Sequence, residues 1–500
     1  MITFLSAFVL LVVGYIVYGS IVDRIFGSDP KRKTPCYTCA DGVDYIPMPT
    51  WKVFLIQFLN IAGTGPIFGA ILGMLYGPAA YLWIVLGCIF GGAVHDYMSG
   101  MISLRKNGAS LPEIIGDELG SNARFVMRVF TIILMLLVGA VFVITPAGLL
   151  SSMTSSTGND AGLIASVTGN WGWFGSKDFW ILAIFIYYIL ATLLPIDKLI
   201  GKIYPIFGVA LLVMGVGVFW GVLTQPGSMP EITEAFTNHH PAGNSAVPIF
   251  PCLFITIACG AVSGFHATQS PMMARCMKNE KLGRSVFYGA MITEGLVALI
   301  WAAASIKFAD MLNTEGATPY EKLLNFMKAG DGTPAGVVEA ICNQWLGTAG
   351  AILAILGVVF APITSGDTAF RSARLITSDI FHIKQNTILK RLAVSLPIFA
   401  LGATVMYTDF EILWRYFAWS NQTLSVFTLW AITVWLAKQN KNYFVSLVPA
   451  IWMTVVCSTY ILIAPEGFML TPALAYTLGC AIGMLLLVMF VCKIRKIRNA

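Results

Sequence analysis

Charge is what this sequence is short of. Only 11% of its 500 residues are Asp, Glu, Lys or Arg, against roughly 25% in a soluble globular chain. With 57% hydrophobic residues and a mean hydropathy of +0.77, most of its surface must face something other than water. Other absences narrow the reading. Residues 1–22 are apolar but lack a basic leader and a small-x-small cleavage site, so a retained span is expected there. No HExxH, no matched aspartates and no nucleophile–base pair stand out, so no enzyme is expected. The net charge of +6 comes without a basic stripe interleaved with aromatics, which argues against nucleic acid. The Gly63–Gly69 run has no strand before it and is no dinucleotide fingerprint. The ten cysteines are mostly scattered in apolar runs, as inert core residues are. Cys36 and Cys39 form a lone CxxC without two further ligands, so no metal and no cofactor are expected.

What is present is a series of long apolar runs. A spanning helix needs about 20 mainly apolar residues. The runs predict thirteen spans: 2–22, 51–75, 78–104, 124–145, 178–195, 200–223, 247–274, 284–306, 347–370, 392–407, 411–436, 443–463 and 471–492. Basic residues mark cytoplasmic loops. With the tail Lys493, Arg495, Lys496 and Arg498 inside, alternate loops collect nearly all of the 31 Lys and Arg. Only Lys177, Lys307, Lys322, Lys328 and Arg415 fall elsewhere. The expected topology therefore puts the N-terminus outside and the C-terminus in the cytoplasm. The outer loop 307–346 holds two amphipathic stretches, Pro319–Met327 and Pro334–Leu346, expected to be short helices over the outer face.

Two spans carry glycine-rich interruptions: Asn60-Ile61-Ala62-Gly63-Thr64-Gly65-Pro66 and Cys259-Gly260-Ala261-Val262-Ser263-Gly264-Phe265-His266. Glycine accepts non-helical dihedrals cheaply, and Pro66 suits the start of a new half-helix. Thr64 or Gly65 is the expected cap of the first half-helix and Ser263 that of the second. Irregular backbone at membrane depth survives where it lines a cavity or is buried in protein. Half-helix N-termini offer free N–H groups to anions. Paired interruptions in matching halves point to a transporter site. The competing reading is that these glycines only allow close helix packing. The breaks lie five spans apart, so the two sets of five run in opposite senses. That predicts an all-α polytopic membrane protein with a LeuT-like 5+5 inverted repeat. Residues 1–50 hold one extra helix and an inner loop. Residues 51–223 are the first repeat, 247–436 the second with the outer lid 307–346, and 437–500 two C-terminal helices with a basic tail.

The runs Asp41-Gly42-Val43-Asp44-Tyr45-Ile46-Pro47, Ile61-Ala62-Gly63-Thr64-Gly65-Pro66 and Gly92-Ala93-Val94-His95-Asp96-Tyr97 resemble the carbon starvation protein A (CstA) family. So do Arg105-Lys106-Asn107-Gly108-Ala109-Ser110-Leu111, Ser263-Gly264-Phe265-His266-Ala267, Tyr288-Gly289-Ala290-Met291 and Ser420-Asn421-Gln422. The resemblance covers nearly the whole core, in order. It implies a transporter of the amino acid–polyamine–cation superfamily, active in nutrient limitation, with pyruvate or short peptides as solute. It also implies a bacterial cytoplasmic membrane as the location.

Ionisable residues inside spans are expensive and are functional candidates by default. His95 and Asp96, His266, Glu294 and Asp367 qualify either as proton-coupling groups or as core residues paired for structure alone. His266 is also a candidate substrate contact, with Gly63, Thr64, Gly65, Ser263 and Gly264; Asn421 and Gln422 either bond the solute or bridge helices. Asp367 and Arg371 are four apart and can pair, either structurally or as a proton-linked gate. Arg415 either snorkels outward or guides an anion. Thr364 and Ser365, with the carbonyls of Ala62 and Gly63, are a candidate cation site. Proton coupling is preferred over sodium, because the charged inventory is rich and the resemblance leans that way.

Overall fold

The computed structural model describes residues 1–499 except 41–44, 155, 158–159, 162–168, 170, 194–195, 331–332, 382 and 384–386. The motif Asp41-Gly42-Val43-Asp44, Lys384, and the side chains of Lys198, Lys202 and Arg498 lie outside the described residues. The regular structure among the described residues is helical, apart from one two-residue antiparallel pairing of Ser156–Thr157 with Asp160–Ala161.

In chain order the helices begin with α1 (Ile2–Phe26), α2 (Thr50–Ile61), α3 (Gly65–Met74) and α4 (Ala79–Arg105). Next come α5 (Leu111–Leu119), α6 (Ser121–Thr154), α7 (Lys177–Leu193) and α8 (Ile196–Thr224). The second half holds α9 (Phe254–Thr256), α10 (Gly264–Ala274), α11 (Gly289–Met311), α12 (Pro319–Ala329), α13 (Ala335–Ala354) and α14 (Phe360–Ile380). It closes with α15 (Ile388–Val405), α16 (Phe410–Lys438), α17 (Phe444–Ile463) and α18 (Pro472–Asn499). Among the described residues nine helices are long and apolar enough to cross a membrane, and the bent pair α2–α3 makes a tenth. Three expected spans are helical but fall outside that group. α7 has 17 residues. The span 247–274 is interrupted between α9 and α10. α16 carries the polar Ser420, Asn421 and Gln422 in its middle.

The two amphipathic stretches of 307–346 are α12 and the first part of α13, which kinks at Gly347 with a φ of 60°. One helix was not expected. α5 lies between α4 and α6 and opens on a full capping box: Glu113 accepts from the Ser110 N–H at 2.9 Å, and Ser110 receives the N3 backbone. The S-x-x-E spacing was present in the sequence.

Position in the fold governs burial. α18 is largely exposed along its length, as a lipid-facing helix is. α4 and α11 are buried on nearly every side and bring their polar residues inside. α6 packs along α14, where a Cβ at Gly139 would lie 2.4 Å from Phe370. A helix apolar all round fits in such a place only with small residues at the crossing.

Candidate functional site

The first break bends the chain by 47° between α2 and α3. Ala62 leaves the helical region, and Thr64 takes the cap position. Thr64 is one of the two expected caps, but its hydroxyl makes no capping bond: the Phe68 N–H donates to the Thr64 carbonyl at 2.8 Å.

The second break is non-helical from Ile257 to Ser263. Ser263 sits at the cap of α10 in extended backbone, but its side chain does not cap. Asn421 on α16 does so in its place. Its Oδ1 accepts from the Phe265 N–H at 2.7 Å and from the Ser263 hydroxyl at 3.1 Å. Gln422, the next residue, serves the other side of the break. Its Nε2 donates to the carbonyls of Phe254 and Ile257, and the Trp83 indole N–H also donates to Ile257. Interrupted helices leave free N–H groups on one side and free carbonyls on the other. Two adjacent amides on one helix satisfy some of each. Of the two readings open for Asn421 and Gln422, solute contact or helix bridge, this conformation shows the bridge.

The two breaks lie against each other. A Cβ on Gly65 would stand 2.4 Å from Cys259 Sγ, one on Gly69 3.0 Å from the Thr256 carbonyl, and one on Gly73 2.3 Å from Ile257. On the other side of α10, a Cβ on Gly264 would meet backbone of Asn421 at 2.4 Å. Solute was expected between Gly63–Pro66 and Cys259–His266. In this conformation protein atoms fill that contact.

Beside the second break a line of ionisable groups crosses the core. His95 Nδ1 is 2.7 Å from Asp96 Oδ1, Asp96 Oδ2 is 2.8 Å from His266 Nδ1, and His266 Nε2 is 3.4 Å from Glu294 Oε2. All four side chains are fully buried. The last contact is close but poorly aligned: neither His266 Nε2 nor either Glu294 oxygen has a hydrogen-bond partner among the described residues. Local geometry makes the meeting possible. α4 includes a π-helical turn, Gly87–Gly92, which widens just before His95 and re-aims the residues after it. Gly92 lies so close to the second break that a Cβ there would fall 2.2 Å from the Ala261 carbonyl. The cluster thus joins α4, α10 and α11.

The remaining candidates sit elsewhere. Asp367 and Arg371 pair on α14 at 3.7 Å, and Arg371 also donates to the Ala191 carbonyl at 2.9 Å. The Ser365 hydroxyl donates to the Leu59 carbonyl at 3.3 Å and to Ala361 at 3.0 Å, so α14 does touch the first broken helix. Thr364 donates to its own helix at Ala361. Arg415 forms ion pairs with Glu411 at 3.3 Å and Glu466 at 3.4 Å, which makes it a structural cation. Two buried acids were missed in the sequence. Glu280 receives Arg105, the Asp29 N–H and Arg32. Glu118 binds Lys106 and Lys438. Both lie next to basic loops, where an acid reads as surface. A large apolar recess of about 780 Å³ between Trp83, Phe90, Phe250 and Trp452 is lined by no ionisable side chain.

A polytopic helical bundle with broken helices meeting at its centre and a buried ionisable line beside them defines the chain as a membrane transporter. It belongs to the carbon starvation protein CstA family, which matches residues 1–169, 161–321 and 330–460. An uncharacterized membrane protein of Haemophilus influenzae is 47% identical over 62% of this chain and 92% of its own length. The pyruvate/proton symporter BtsT of Escherichia coli is 26% identical over 88% of this chain and 78% of that protein. The peptide transporter CstA of Bacillus subtilis is 31% identical over 61% of this chain, and the match spans 58% of the Bacillus protein. Among solved structures, a manganese transporter of Eremococcus coleocola superposes with a TM-score of 0.53 over 92% of this chain and 99% of its own, at 12% identity. That likeness shows the fold.

Proposed function

We propose that the chain imports a small carboxylate, most simply pyruvate, together with protons across the bacterial cytoplasmic membrane. The observation that carries this is the buried line Glu294–His266–Asp96–His95 beside the start of α10. In a dry bundle such a line is neutral overall only with protons shared along it. It adjoins a half-helix N-terminus, where a carboxylate is favoured by free N–H groups and the helix dipole. Solute charge and proton charge then meet within one site. The breaks part to admit solute and close again around it, in an alternating-access cycle of a 5+5 repeat, with the N-terminus outside. Protonation favours the loaded form through its differential affinity for the two states. Asp367 and Arg371 serve as a gate in α14. The hydroxyls of Thr364 and Ser365, with Ala62, are the reserve position for a coupling cation.

The name of the Bacillus relative supports a second reading, short peptides, which carry the same carboxylate. The deciding experiment is uptake of labelled pyruvate into vesicles holding the purified protein, with and without an inward proton gradient, competed by dipeptides. Gradient-stimulated uptake that dipeptides leave untouched supports the monocarboxylate. Absence of pyruvate uptake, with dipeptides carried in its place, overturns it.

A further inference from the structure

The proton line makes no use of the sulfur that stands at its end. Cys259 Sγ, a ring nitrogen of His266 and a carboxylate oxygen of Glu294 lie within 4.8 Å of one another, and all three residues are buried. They come from the non-helical stretch before α10, the first turn of α10, and α11.

The donor set is prepared for more than protons. His266 Nδ1 is held by Asp96 at 2.8 Å, so Nε2 is the nitrogen left to face Glu294. A carboxylate behind a histidine is the usual outer support of a metal-binding imidazole. Cys259 Sγ is approached by the Asn421 Nδ2 at 3.5 Å and the Ser263 hydroxyl at 3.9 Å. A coordinating cation displaces the thiol proton outright and so makes the thiolate that binds it. One thiolate and one carboxylate balance a divalent cation, which removes the cost of burying either charge alone. Bond lengths of about 2.3 Å to sulfur and about 2.0–2.2 Å to nitrogen and oxygen put tetrahedral ligand atoms about 3.3–3.6 Å apart. His266 and Glu294 already stand at 3.4 Å. Cys259 Sγ lies within 4.8 Å of both, a gap that movement of the breaks must close.

We propose that Cys259, His266 and Glu294 form a three-ligand site for a borderline divalent cation of the zinc class, reached when the two breaks separate. A mixed sulfur–nitrogen–oxygen set disfavours magnesium and calcium, which prefer oxygen alone. The fourth position is left to water or to a carboxylate oxygen of solute.

Cobalt(II) titrated into the purified full-length protein in detergent tests this, because thiolate ligation gives cobalt a sulfur charge-transfer absorption. The expected result is about one cobalt per chain carrying that band, lost on addition of zinc. Cys259→Ser should abolish the band. The double variant Cys36→Ser/Cys39→Ser should keep it, and Asp96→Asn should weaken binding about 10–100-fold. Absence of the band in the unaltered protein, or a band that survives Cys259→Ser, overturns the proposal. If Cys259→Ser does not fold, Glu294→Gln decides: unaltered cobalt affinity overturns the site. Since the readout is cobalt absorption, its outcome is independent of proton symport.

Discussion

Asn421 shows how much one side chain can carry. Its amide meets the Phe265 N–H, the Ser263 hydroxyl and Cys259 Sγ. Replacing it with Leu leaves the Phe265 N–H buried without its partner, at a cost of about 1–3 kcal/mol. Asn421→Leu should therefore lower the denaturation midpoint of the purified protein and reduce uptake at least tenfold, whereas Asn421→Asp, which keeps an acceptor at Phe265, should retain more of both. Gly65 makes a sharper case. Any Cβ there collides with both Cβ and Sγ of Cys259. Gly65→Ala should cripple uptake, and Cys259→Gly in the same chain should restore part of it; two independent, additive losses would show that the contact does not matter. At this scale the sequence was readable only in part. Asp367–Arg371 was visible because four residues on a helix fix the distance. The cluster of His95, Asp96, His266 and Glu294 was visible only as four separate residues. Its assembly depends on the relative register of three helices. For Asn421 and Gln422 the sequence leaves solute contact and helix bridging equally open, because their partners, over 150 positions away, cannot be seen from α16 alone. Cys259 was passed over as one more apolar-run cysteine.

At the scale of elements, glycine and proline made both breaks legible, and the apolar runs made the spans so. α5 was missed because a nine-residue helix gives too short a period to detect, although its capping box was there. Ser110→Ala should cost about 0.5–2 kcal/mol, seen as faster proteolysis of the α4–α6 connection. The segment before α9 adds a pH effect. His240 packs at a tilt of 53° against Tyr76 beyond the end of α3 and accepts the Ala242 N–H at 3.2 Å. Burial, then the nearby Lys328, lowers its pKa from 6.5 to about 4. Between those values the unfolded chain holds the extra proton, so this contribution is complete above pH 6.5 and declines as pH falls towards 4. The melting temperature should fall between pH 7 and pH 5, by less in His240→Gln than in the unaltered protein. Equal declines would remove His240 from the account.

For the whole molecule, the charge asymmetry of the loops predicts one orientation, with the N-terminus outside. Phe236, on the neutral side, and Asn440, in a basic loop, are both exposed. In intact cells an impermeant thiol reagent should label Phe236→Cys and leave Asn440→Cys untouched; the reverse pattern would invert the topology. Orientation matters for the proposed symport, in which proton and carboxylate move together through the transmembrane voltage. One elementary charge crossing 100 mV changes by about 2.3 kcal/mol. A proton reaching Glu294 from outside falls through part of that drop, while a carboxylate brought to α10 climbs the same part. One proton with one monocarboxylate cancels, and the membrane battery then drives nothing. Two protons leave a net positive charge, and voltage alone concentrates solute. If the buried line carries two protons per solute, voltage alone drives the proposed symport, and the voltage dependence of uptake then counts protons per turnover.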